Sequence, residues 1–107
     1  MTRKRKYELV DKFLAWAEKR GYSISISSLN NSGGLKSYQI IELKDGQPLN
    51  TLFYDNFPDD KVEKDCWLEI LEKRCKHKAF IDQSHLVGLG PADSLEEFEL
   101  KLEIHDA

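Results

Sequence analysis

Residues 35–54 read LKSYQIIELKDGQPLNTLFY. Two runs containing β-branched and aromatic residues meet at Asp45-Gly46, the pattern of a β-hairpin. Two registers fit. A three-residue loop, Lys44-Asp45-Gly46, ending in a left-handed glycine puts Ile41, Leu43, Leu49 and Phe53 on one face. A two-residue Asp45-Gly46 loop mixes apolar and polar positions. A half-buried sheet separates the two kinds of residue, so the three-residue loop is the expected register.

Upstream, YSISISSL (22–29) alternates Ile24 and Ile26 with serines, as a half-buried strand does, and NNSGG (30–34) is a loop. Ahead of the strand, Leu9, Val10, Phe13, Trp16 and Ala17 fall within one arc at ~100° per residue. A helix is expected from about Arg5 to Arg20, ended by Gly21. The cations Arg3, Lys4, Arg5 and Lys6 oppose the helix dipole at its start, so residues 1–5 are expected to form a mobile basic tail.

Downstream, DNFPDD (55–60) is a turn. Asp60 with Glu63 has the spacing of a capping box, and a second helix is expected to reach about Lys78. FIDQSHLVGLG (80–90) reads as a further strand. The last segment, FELKLEI (98–104), is ambiguous. As a helix it aligns Phe98 with Leu102 but turns Leu100 and Ile104 away; as a strand it lines up all four. A short turn at 94–97, opened by Ser94 and Glu97, leading into a strand is preferred, with a helix as the alternative. The expected class is α+β: a small single-layer antiparallel or mixed sheet packed against two helices. Its order is α-β-β-β-α-β, with a short C-terminal turn, strand or helix.

The 107 residues suffice for a single domain with one modest core. No run approaches the ~20 apolar residues of a membrane span, and no apolar signal core follows the basic start. Two cysteines make no disulfide framework, so a reducing, cytoplasmic location is expected. The net charge of −3 conceals a polarity, because all 19 acids and only twelve of the 16 cations follow Lys6, a balance of −7. From Asp93 onward six acids face Lys101 alone.

Chemistry is sought first in CWLEILEKRCKH (66–77), which holds both cysteines. On a helix, Cys66 and Cys75 leave the axis on opposite sides, ~13 Å apart along it. A disulfide needs Cα atoms within about 7 Å, so one helix cannot join them, nor place both on one zinc ion. Cys66, Trp67, Ile70, Leu71 and Cys75 instead form an apolar arc, with Arg74 projecting anomalously from its middle. A metal- or thiol-dependent enzyme is a further alternative, and it would have to join Cys75 or His77 with His85 and an acid such as Asp82 across a chain reversal. No GxSxG context, phosphate loop or His–Asp dyad is present, and no cofactor is expected.

The order helix, three strands, helix is similar to that of double-stranded-RNA-binding domains. That family opens its second helix on a lysine cluster that grips phosphates, whereas FPDDKVEKD (57–65) is predominantly acidic here. The expected function is therefore non-enzymatic protein binding, by a small inhibitor, immunity or accessory protein. It would present an acidic surface, with Glu96, Glu97, Glu99 and Glu103 as candidates and Arg74 as a further contact, to a basic partner. Nucleic-acid binding through Arg3, Lys4, Arg5 and Lys6 is the alternative. Docking of one molecule's basic head on another's acidic tail would give a salt-sensitive homo-oligomer.

Overall fold

The computed structural model describes residues 1–29, 33–76 and 92–104. The expected strand at 80–90, with Asp82 and His85, lies outside them, as do His77 and the side chain of Arg74. Described elements run α1 (Arg3–Lys19), β1 (Ser23–Leu29), β2 (Leu35–Lys44), β3 (Gln47–Pro58), α2 (Glu63–Lys76) and α3 (Leu95–Ile104). The class is α+β, an antiparallel sheet packed against helices. Among the described residues the sheet is a three-stranded meander, β1-β2-β3.

Helix α1 begins at Arg3, earlier than expected, so the basic head is its first turn and not a tail ahead of it. Thr2 caps it, its hydroxyl accepting from the Arg5 amide at 3.2 Å. At the other end Tyr22 N–H bonds Ala17 C=O and Gly21 N–H bonds Glu18 C=O, with Gly21 at φ 82°. This is the paired-bond ending that needs a left-handed residue, and Trp16 packs on Tyr22 just beyond it.

The hairpin corrects the expected register. Lys44 pairs with Gln47, so the loop is the two-residue Asp45-Gly46, with φ 53° and 78°. Two positive φ values are what a turn matching strand twist requires. The register then shifts twice, leaving Leu49 and Leu52 without partners on β3. Each one-residue slip swaps faces, and two restore the original one. Ile40 thereby opposes Phe53, both buried, while Leu49 is 54% exposed.

The buried sheet residues Tyr38, Ile40, Phe53 and Phe57 meet the buried faces of all three helices in one cluster. Phe13 stands at its centre, 5.6 Å from Phe53 edge-on and 5.6 Å from Phe98. Trp67 lies perpendicular to Tyr38 at 5.5 Å. The apolar arc of α2 is thus core, with Cys66, Trp67, Ile70 and Leu71 all buried.

Two boundaries differ from expectation. Helix α2 opens on Val62, whose carbonyl accepts from Cys66 N–H at 3.1 Å; Lys61 N–H returns to Pro58 C=O, so residues around Asp60 form a turn ahead of the helix. The preferred C-terminal strand is a helix. Ser94 Oγ accepts from Glu97 N–H, Glu97 Oε2 accepts from Asp93 N–H, and the capped chain continues helical through Ile104.

Candidate functional site

Helix α3 seats Phe98 and Leu102 in the core against α1 and α2. Rotation by ~100° per residue then places Glu99 and Glu103 on its α1 side. Arg5 and Lys12 of α1, one heptad apart, meet them. Glu99 accepts from Arg5 at 2.8 Å and from Lys12 at 3.2 Å, and Lys12 also reaches Glu103 at 3.4 Å. The terminal amine of Met1 lies 3.5 Å from Glu96. The acidic end of the sequence therefore folds onto the basic beginning of the same chain.

These contacts sort the four candidate acids. Glu99 is held inward, its side chain 12% exposed. Glu97 caps the helix and faces Lys101 at 3.9 Å. Glu96 and Glu103 stay open, at 62% and 56%. Titration follows the contacts. Hydrogen bonding to Glu99 holds the Lys12 ammonium above its ordinary value. Glu96 is drawn below the ordinary carboxylate range by its own backbone N–H and the nearby amine.

The basic head is similarly engaged. Arg3 meets Asp65 at 3.4 Å and donates to Tyr7, whose hydroxyl donates to Asp65 at 2.7 Å. Lys6 lies 3.5 Å from Glu72, while Lys4 makes no ion pair among the described residues. At the start of α2, Lys61 is paired with Glu69 and Lys64 with Asp11.

A groove of about 410 Å³ lies between α1 and α3, lined by Lys12, Ala15, Trp16, Lys19, Leu102 and Glu103. Those side chains bring no thiol, hydroxyl or imidazole into it. Cys66 is a buried free thiol of α2, and burial raises it above its ordinary value, which disfavours the reactive thiolate. Among the described residues no three His, Cys, Asp or Glu side chains are grouped to hold a metal.

Leu100 and Ile104 are the residues that the sequence reading did not assign to a site. They lie on the outward side of α3, 59% and 70% exposed. Their signal was visible in the helical alternative for 98–104, which turns both away from Phe98 and Leu102.

The class defined by these features is a small α+β domain, with a meander sheet on one side and a charged outermost helix. No protein-family model, curated protein or solved structure matches the chain. No helix among the described residues is long and apolar enough to cross a membrane.

Proposed function

We propose that the chain is a non-enzymatic protein-binding domain, a small inhibitor, immunity or accessory protein, that offers the outer side of α3 to a basic partner. The observation supporting this is the exposure of Glu96 and Glu103 on a helix whose opposite face is locked into the core. A rigid element carrying open carboxylates steers a cationic partner and fixes its orientation without prior ordering. The nucleic-acid reading has less support, because a polyanion would have to displace carboxylates already bound to Arg3, Arg5 and Lys6. The buried free thiol of Cys66 suits a reducing, cytoplasmic setting.

The test is affinity purification with the full chain and with Glu96→Lys/Glu103→Lys as baits. These positions leave the Arg5–Glu99 bond and the cap made by Glu97 intact, while Glu103→Lys gives up the contact with Lys12. Partners retained by the wild type should be lost by the double variant and released as salt rises. Retention of every partner by the double variant overturns the reading.

A further inference from the structure

The i±4 rows of α3 differ in chemistry. One row is Glu96, Leu100 and Ile104; the row toward α1 is Glu99 and Glu103; the row on the other side is Glu97 and Lys101. The first row therefore forms a ridge with two exposed apolar side chains, bordered by the carboxylates of Glu96, Glu103 and Glu97, each with a cation of its own chain (the Met1 amine, Lys12 and Lys101) at 3.4–3.9 Å. Apolar residues four apart on a helix present one continuous ridge, which fits the groove between ridges of a second helix. These are exposed pairs, which hold their partners weakly, so cations on an occupant can take over the three carboxylates at the edge of the ridge.

Building on the acidic-surface reading above, we infer that the partner segment is a cationic amphipathic helix. Its apolar side chains seat on Leu100 and Ile104, and its lysines or arginines meet Glu96, Glu103 and Glu97. This is recognition of an amphipathic helix through regularly spaced anchors, with charge at the rim. The apolar pair supplies the contact area and the carboxylates supply orientation.

The experiment titrates the full chain with two synthetic peptides of equal composition, made only of leucine and lysine. One has leucines at helical spacing (i, i+3, i+4, i+7) and the other has them scrambled. Proteins are the wild type, Leu100→Gln/Ile104→Gln and Glu96→Gln/Glu103→Gln; binding is read by fluorescence anisotropy. The amphipathic peptide should bind the wild type more than tenfold tighter than the scrambled one, and the Leu100/Ile104 variant should lose that margin.

If both peptides bind alike, and only the Glu96/Glu103 variant weakens them, the inference is overturned while the acidic-surface reading stands. If neither peptide binds, or neither variant matters, both fall. Concentration-dependent dimerisation abolished by Leu100→Gln/Ile104→Gln makes a second copy the occupant and overturns the inference. Loss of the native circular dichroism spectrum in that variant would contradict the exposed placement of the two residues, with the same consequence.

Discussion

At Glu99 one carboxylate oxygen accepts from Arg5 and the other from Lys12, with little of the side chain left to solvent. Charge-assisted bonds to a mostly buried carboxylate are stronger than neutral ones, and a glutamine keeps one acceptor oxygen but turns an amide NH2 toward the second cation, leaving that donor unmatched. Glu103 makes a single longer contact and is open to water, where ion pairs contribute little. Glu99→Gln should therefore destabilise the fold by about 1–2 kcal/mol. Glu103→Gln should stay within about 0.5 kcal/mol of wild type. Thermal unfolding followed by circular dichroism separates the two, and equal midpoints would show that Glu99 is no better bonded than its neighbour one turn away.

Among the elements, the β2–β3 hairpin depends most on backbone conformation. Gly46 sits at φ 78° with open space where a Cβ would be, so a substitution there meets backbone strain without a steric clash. Gly46→Ala should cost about 1 kcal/mol, the penalty of a left-handed residue with a side chain. Asp45→Asn should be neutral, because asparagine also tolerates φ 53°. Urea denaturation of both variants checks this; a neutral Gly46→Ala would contradict the two-residue turn.

The same elements show what the sequence made legible. Helix α1, its glycine ending and the apolar arc of α2 are readable because each is a local pattern with one period. The hairpin register is not, because the two slips at Leu49 and Leu52 are fixed by packing of Ile40 and Phe53 against the helices. In 98–104 the alternation of Phe98, Leu100, Leu102 and Ile104 imitates a strand. In fact the segment is a helix whose apolar residues divide between the core and the surface. The acidic candidates were visible as residue types. Their division into inward Glu99 and outward Glu96 and Glu103 needed the helix phase, together with the positions of Arg5 and Lys12.

Across the whole molecule, charge separation along the sequence becomes charge pairing in space. A head-to-tail oligomer would need Arg5, Lys12 and the terminal amine to leave Glu99, Glu103 and Glu96 of their own chain, with a loss of chain entropy on association. Intramolecular pairing makes those ion pairs a salt- and pH-dependent part of stability. Lys12 has a raised folded-state pKa, so its contribution is full below the unfolded value, near pH ~10.4, and is lost as pH rises through the folded value. Glu96 has a lowered one, so its contribution is present above the unfolded value and lost as pH falls through the folded value. Salt weakens the exposed pairs of Glu96 and Glu103, and weakens the mostly buried pair of Glu99 less. Sedimentation should therefore give the 12.4 kDa monomer at low and at high salt. The unfolding midpoint should fall as salt rises, and this fall should shrink more in Glu96→Gln/Glu103→Gln, which lacks the exposed pairs, than in Glu99→Gln. On the alkaline side, Lys12→Met should unfold with a shallower loss of stability above pH ~10 than wild type. A mass that doubles at low salt, together with a midpoint indifferent to Lys12, would mean that head and tail meet between molecules and not within one.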